Sequence, residues 1–331
     1  MDGNQESSGV HDSVDPMRPK FGQRYLKDEA EVYSHNAWDN VLWTAEQESQ
    51  ANAIIAENSA DILPIDAKEH HDMAAAEYWD KFYAQHQDKF FKDRSWLFTE
   101  FPELFAGNGK ERHFLTSCSD DCKIFEVGCG VGNTTIPILR KNTSKNMFLY
   151  TSDFSSNAVE LLKKSLEYDP LRCHAFTFDI TKTETKLPFT KGSIDIIIMV
   201  FVLSAVSPDQ YVCILPINLV FRFPAVIENL ASYLKPGGLF LVRDYGRGDM
   251  VQLRFKKGKC LGENFYLRSD GTRVYFFQQD ELRQLFSGFG LEEIENTLDR
   301  RLIVNRKKEL KMYRVWIQCK YRKSTCSLSS K

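Results

Sequence analysis

The chain has 331 residues, of which 43% are hydrophobic and 13% aromatic, and a formal net charge of −2. That apolar content excludes wholesale disorder, and the length suits one large domain or a domain with an extension. The near-neutral total excludes a basic nucleic-acid arm along the whole chain. Arg243 to Lys331 nevertheless carry 20 Lys and Arg against 11 Asp and Glu, which leaves −11 on residues 1–242. A basic third on an acidic body points to a local anionic partner.

Residues 1–20 are polar and read as a disordered tail, with no apolar run of the kind a secretory signal needs and too many acids for a mitochondrial presequence. Residues 21–104 read as a helical, aromatic region. Thr44 with Gln47 forms a capping box that predicts a helix to about Asn58. Trp38 and Trp43 belong to an aromatic set that packs onto something else, tRNA or a partner being candidates. A second helix is predicted from about Asp72 to Gln87, with Trp79 and Tyr83 on one face. His70-His71-Asp72 reads as a solvated helix start rather than a metal site. The aromatic, charged run 90–104 follows, and then a linker over 105–122.

From 123 to 322 the pattern alternates strand and helix. Strands are predicted at 123–128, 147–152, 173–178, 194–203 and 239–243, then near 291–296 and 311–320. Helices are predicted at Asn133–Lys141, from Ser155 or Ser156 to about Tyr168, at Ala225–Leu234 before a Pro-Gly-Gly stop, and at about 279–287. The nearly continuous apolar run at 194–203 suits a strand buried on both faces. The alternation predicts a mostly parallel sheet covered by helices. A tail is expected at 323–331. Eight scattered cysteines with no CxxC pair argue against zinc and against a disulfide framework, and they suit a reducing compartment.

The first of these strands runs into Glu126-Val127-Gly128-Cys129-Gly130-Val131-Gly132-Asn133. Asn133 stands where a dinucleotide fingerprint wants its third Gly, and there is no GxxxxGK[ST] run. The G-x-G-x-G spacing behind an acidic Glu126 is instead the pattern of S-adenosylmethionine (AdoMet) enzymes, whose ligand carries a cationic amine and no pyrophosphate. Asp153, at the end of the next strand, can accept ribose hydroxyls, and Asp179, one strand further, can accept the adenine amino group.

Nine segments together resemble the methyltransferase-like tRNA N3-methylcytidine methyltransferases: HNAWDNVLW, FFKDRSWLFTEFPEL, EVGCGVGN, SDFS, DIIIMVFVLSAVSPD, LKPGG, RDYGRGDMVQLRFKKG, LGENFYLRSDGTRVYFF and RRLIVNRKKELKMYRVWIQCKY. The likeness spans about residues 20–322 and is strongest to the cytosolic branch that acts on threonine and arginine tRNAs. It implies an α/β, seven-stranded, Rossmann-like AdoMet-dependent fold with an N-terminal helical extension. It also implies N3-methylation of cytidine at position 32 of the tRNA anticodon loop, in the cytoplasm, with a tRNA synthetase or other tRNA-binding helper as a possible partner. The AdoMet contacts it implies fall on Trp79, Tyr83, Gly128, Asp153, Asp179, Ile180 and Val200, joined by Gly130 and Gly132 of the loop. Helical spacing alone would place Trp79 and Tyr83 in the core.

Cytosine N3 carries an in-plane lone pair, so the reaction needs positioning more than a strong base. Asp93 and Asp244 are the candidates to stabilise the cationic product; an ion-pair role for each stays open. Arg94 and Tyr245, with Phe90, Phe91, Trp96 and Arg247, suit an unstacked base. A phosphate grip is expected from Arg254, Lys256, Lys257, Lys259, Arg268, Arg273, Arg300, Arg301, Arg306, Lys307 and Lys308. Two departures stand out. Ser95 replaces the His or Asn more usual in relatives, and residues 210–224 form an apolar insertion. That composition is an aggregation liability on an exposed loop and fits a misread gene model or splice product. Its place after the fourth strand leaves a catalytically impaired RNA-binding or scaffold protein as an alternative, beside an AdoMet enzyme with another substrate.

Reversing the charge of Lys256 and Lys257 together is expected to weaken tRNA binding about tenfold or more at physiological salt. AdoMet binding, followed by calorimetry, should stay unchanged; equal loss of both would defeat the assignment.

Overall fold

The computed structural model describes residues 23–105, 121–182, 184–210 and 220–325. The expected N-terminal tail, most of the linker, most of the 210–224 segment and residues 326–331 of the expected C-terminal tail lie outside these, whereas Lys323, expected in that tail, ends the last strand of the sheet.

In chain order, the N-terminal region supplies β1 (Ala37–Trp38), α1 (Ala45–Ser59), α2 (Ile65–Met73), α3 (Ala75–His86) and α4 (Leu97–Glu100). The alternating part follows: β2 (Cys122–Val127), α5 (Thr135–Lys141), β3 (Met147–Asp153), α6 (Ser156–Lys163), β4 (Cys173–Thr177) and β5 (Ile194–Val200). A two-strand ladder, β6 (Asp209–Gln210) with β7 (Val220–Phe221), leads to α7 (Arg222–Tyr233) and β8 (Leu234–Tyr245). Then come α8 (Met250–Leu253), a small antiparallel sheet of β9 (Cys260–Gly262), β10 (Phe265–Leu267) and β11 (Arg273–Tyr275), α9 (Gln279–Ser287), and the long hairpin β12 (Leu291–Asn305) and β13 (Leu310–Lys323).

The main sheet runs β1-β12-β13-β8-β5-β2-β3-β4. β8, β5, β2, β3 and β4 are parallel; β13 runs antiparallel to them, and β12, antiparallel to β13, runs in their direction again. These are the seven expected strands; β1 adds an eighth, pairing Ala37 and Trp38 with Ile303 and Leu302. All seven residues of β5 are buried. Ile197 and Met199 enter the layer under α7 and α9, while Ile196, Ile198 and Val200 enter the layer under α4, α5 and α6. Burial on both faces is why this strand carries no alternation in the sequence.

Local signals held where they were strong. Thr44 and Gln47 close the capping box of α1, and Ser155 caps α6. Three expectations change. The predicted helix 72–87 is two helices broken at Ala74. Helix α6 stops at Lys163, short of Tyr168. The hairpin strands are far longer than expected, because β12 passes beyond the sheet core to meet the N-terminal segment. There Trp38 is buried with Val32, Leu302 and Val304, and its indole N–H donates to Val32 O at 2.8 Å. Trp43 meets Tyr313 at 6.0 Å and carries Arg300 over its ring. Both tryptophans are thus packed on the hairpin, which accounts for the aromatic set.

Between hairpin and sheet lies a buried charge network. Arg243 sits between the Trp96 and Trp316 rings, 4.8 and 5.0 Å from their centroids. It pairs with Asp299 and donates to Gln318 Oε1 at 2.7 Å. Asp299 also takes Arg301 Nε at 2.9 Å, and Arg301 reaches Glu100 at 2.9 Å. Burial alone would raise the Asp299 pKa, but Arg243 and Arg301 outweigh it and hold the carboxyl below its ordinary value. Stability from this group is therefore full near neutrality and is lost as pH falls through its depressed pKa. Asp299→Asn leaves Arg243 buried without its counter-ion and should cost about 3–5 kcal/mol in urea unfolding at pH 7. A change under 1 kcal/mol would show that the pair contributes little.

Candidate functional site

The sheet order reverses at β2, whose neighbours β3 and β5 lead away in opposite directions. Ligands in such sheets bind beyond the carboxyl ends of the strands at this point. A cavity of about 760 Å³ opens there, walled by α3, the 90–96 segment, the glycine loop after β2 and the residues that follow β3, β4, β5 and β8.

One half is built from glycine and acid. Gly128 and Gly130 have φ of +69° and +53°. A Cβ on Gly130 would stand 2.6 Å from the Tyr83 hydroxyl, and one on Gly128 would stand 2.3 Å from Val202 Cγ2. No side chain fits at either position, so bare backbone faces the cavity. Asp153 Oδ2 accepts the Gly130 N–H at 2.8 Å, and its Oδ1 accepts the Ser155 N–H at 2.9 Å. Each oxygen keeps lone-pair capacity for a ligand hydroxyl. Burial pushes the Asp153 pKa up to about 6, against the pull of those N–H groups. Asp179 accepts from the Thr181 backbone N–H at 3.0 Å and hydroxyl at 2.7 Å. Ile180 and Val200 supply buried apolar wall. Trp79 and Tyr83 stack at 5.9 Å along the face of α3 that closes the cavity.

The other half is aromatic and cationic. Arg94 donates to Thr134 Oγ1 at 2.6 Å and lies over the Phe201 ring at 5.7 Å. Burial lowers its pKa, with Glu126 opposing. Phe201 meets Tyr245 at 4.9 Å and Trp316 at 6.4 Å. It holds φ of +59°, a conformation an aromatic residue rarely adopts and one that concentrates at functional sites. Arg268 lies over Tyr245 at 5.5 Å. Phe90 and Phe91, 55% and 37% exposed, pack on Phe82 at the rim.

Trp79, Tyr83, Arg94, Gly128, Gly130, Asp153, Asp179, Ile180, Val200 and Tyr245 therefore line one space. Five expected residues do not, Arg247 among them, since it donates to Asn52 Oδ1 at 2.6 Å instead. Gly132 turns the other way: a Cβ there would meet Leu162 Cδ1 at 2.5 Å, so this glycine admits α6. Asp93 points outward into an exposed ion pair with Arg140 at 3.3 Å. Asp244 is buried beneath the cavity floor, where it accepts the Ser204 and Tyr245 N–H groups at 3.0 and 2.9 Å. Glu126 lies under the loop with Thr135 and Thr151 on one oxygen, and does not face the cavity. Ser95 is exposed and also outside the cavity.

The expected phosphate grip is thinner than its sequence. Arg273 is buried against Asp72, Arg301 against Asp299 and Glu100, and Arg300 pairs with Glu48 at 3.2 Å. Arg254, Lys256, Lys257, Arg306, Lys307 and Lys308 are exposed. Sequence reasoning missed Phe201, because the apolar run was read as strand through 203. It missed Trp316 because only the β13–β8 register brings that residue opposite Tyr245. Among the described residues, no group of His, Cys, Asp and Glu could hold a metal ion, and no helix is long and apolar enough to cross a membrane.

A family model for a methyltransferase domain matches residues 103–296. The tRNA N(3)-cytidine methyltransferase METTL2 of Xenopus tropicalis is 48% identical over 333 residues, covering 93% of this chain and 95% of the relative. The protein of the same name from Danio rerio is 50% identical, covering 92% and 90%. The tRNA(Thr) (cytosine(32)-N(3))-methyltransferase of Saccharomyces cerevisiae is 43% identical, covering 90% of this chain and 45% of its own. Among solved structures, a SAM-dependent methyltransferase from Anabaena variabilis superposes with a TM-score of 0.50 at 12% identity, over 80% of this chain and 98% of that one, and so shares the fold. With near-complete coverage at almost half identity, the chain belongs to the tRNA N(3)-cytidine methyltransferase family.

Proposed function

We propose that this chain methylates N3 of cytidine 32 in the anticodon loop of threonine tRNAs, and of arginine tRNAs, with AdoMet as the donor. The observation that carries this reading is a single cavity joining a glycine-and-acid half to an aromatic-and-guanidinium half. The names of the relatives support it.

The first half suits AdoMet. Bare backbone at Gly128 and Gly130 admits close approach, Asp153 offers lone pairs to a ribose diol, Asp179 stands at the next strand end, and Trp79 and Tyr83 offer an aromatic face. When bound, AdoMet supplies an electrophilic methyl group on a sulfonium. The second half suits a splayed-out base. Phe201, Tyr245 and Trp316 offer ring faces, and Arg94 offers a planar cation held in place by Thr134. Cytosine N3 already carries its lone pair, so these residues have to orient and shield rather than deprotonate. Asp244 fixes the backbone of Ser204 and Tyr245, both cavity residues, and its pKa is pushed up to about 6 by burial. Near neutrality it is mostly ionised, which puts a negative charge beneath the floor as the base becomes cationic.

In this reading residues 21–104 form an extension that serves both ligands, since α3 and the 90–96 segment wall the cavity. A tRNA-binding helper, such as a tRNA synthetase, belongs to the proposal, as does a cytoplasmic location; the free cysteines of the described residues suit a reducing compartment.

Incubating the pure protein with AdoMet and total tRNA should yield 3-methylcytidine by nucleoside mass spectrometry, mapping to position 32. No methylated nucleoside, with or without an added helper, would sink the proposal. Asp153 gives a second check. An ionised carboxylate accepts hydroxyl protons better than a neutral one, so affinity for S-adenosylhomocysteine should be flat above pH 7 and about tenfold weaker at pH 5. Asp153→Asn should bind weakly at every pH and remove most of that dependence. A wild-type profile that stays level across this range would count against ribose recognition by Asp153.

A further inference from the structure

The break between α2 and α3 is held by a buried charge cluster that the reaction does not explain. Asp72 sits at the last turn of α2 and lines the cavity. Arg222, the first residue of α7, reaches its carboxylate at 2.7 and 2.8 Å, and Arg273 of β11 pairs with the same group. The three side chains are 15%, 17% and 6% exposed. The sequence suggested a solvated helix start; the structure instead ties this junction to two distant parts of the chain. Further along, Asp80 of α3 takes the Ser155 hydroxyl at 2.5 Å. The Asp270–Gly271–Thr272 turn lies so close to Tyr78 that a Cβ on Gly271 would stand 2.2 Å from its ring. Helix α3 has no side-chain cap of its own.

We infer that Asp72, Arg222 and Arg273 form a positioning cluster that fixes the N-terminal end of α3, and so holds Trp79 and Tyr83 against the glycine loop. The functional meaning rests on the proposed AdoMet site; the mechanical claim does not. Helix α3 is fixed near its middle by Asp80, so its entry end needs a second anchor for the aromatic face to keep one orientation. Two guanidinium groups on one partly buried carboxylate supply it with charge-assisted bonds from two elements.

The same cluster gives the unusual segment a defined place. Asp209 pairs with Phe221 and Gln210 with Val220, and the Arg222 N–H donates to Pro208 O at 2.9 Å. The chain thus returns beside the point where it left and delivers Arg222 to Asp72. The excursion closes on itself, so joining Asp209 directly to Arg222 should preserve the cluster.

The test uses the full chain and two readouts. Hydrogen exchange of the free protein should speed up about tenfold or more across 75–86 in Asp72→Asn and in Arg222→Ala, while α5 and α9 amides stay protected. Arg222→Lys, which keeps the charge, should restore most of that protection. Calorimetry with S-adenosylhomocysteine should show about tenfold weaker binding in the first two variants. Deleting 210–221 should leave both readouts within about twofold of wild type. Unchanged exchange across α3 in Asp72→Asn and Arg222→Ala would overturn the inference, and so would a deletion that matches Arg222→Ala. Should Asp72→Asn unfold the whole chain, Arg222→Ala against Arg222→Lys decides the point. Failure of wild type to bind S-adenosylhomocysteine would defeat the cofactor reading alone, since the exchange result still decides whether the cluster positions α3.

Discussion

Asp153 joins the end of β3 to the glycine loop through the Gly130 N–H and to the start of α6 through the Ser155 N–H. Three elements are set by one carboxylate. Gly130 in turn leaves room for the Tyr83 hydroxyl, so α3 seats against the same loop. An acid in this place carries a desolvation cost, seen in its raised pKa. A group that could relax that cost by turning to water would not stay; the two backbone donors prevent it. The site is therefore defined by backbone geometry first, and side chains are added around a frame that already exists.

Charge is used differently in the two halves of the molecule. In the parallel part Asp153 and Asp179 face the cavity and Asp244 supports its floor. In the hairpin part they neutralise arginines: Asp299, Glu100 and Asp39 surround Arg301, and Asp249 takes Arg314 at 2.8 Å. Much of the basic surplus in the last third is thus consumed internally, and what remains for an anionic partner is concentrated in the 254–257 and 306–308 stretches. Net charge along the sequence indicated the partner's sign but overstated the number of cations free to meet it.

The parallel strands and their order-breaking loop were legible in the sequence, because buried strands and glycine turns leave local marks. The capping box at Thr44 was legible for the same reason. The small sheet β9–β11 was not. Its strands are three residues each, too short for periodicity to register, and they sit in a run of Arg and Lys that reads as loop. Asp93 and Asp244 illustrate a different limit. Both have the right chemistry and motif neighbours, yet one turns to Arg140 and the other is sealed under Ser204. Which way such a side chain points depends on residues far away in sequence. Trp316 is the reverse case, a cavity residue placed only by the pairing of β13 with β8.

The pairing of β1 with the far end of β12 ties Ala37 to Ile303. On a ribosome, the first of these residues emerges long before the second. Until the hairpin is made, Trp38 and Val32 have no partner in Leu302 and Val304. Contacts of such long sequence separation form late and slowly. A nascent chain therefore carries this aromatic segment uncovered until residues 302–304 have left the ribosome.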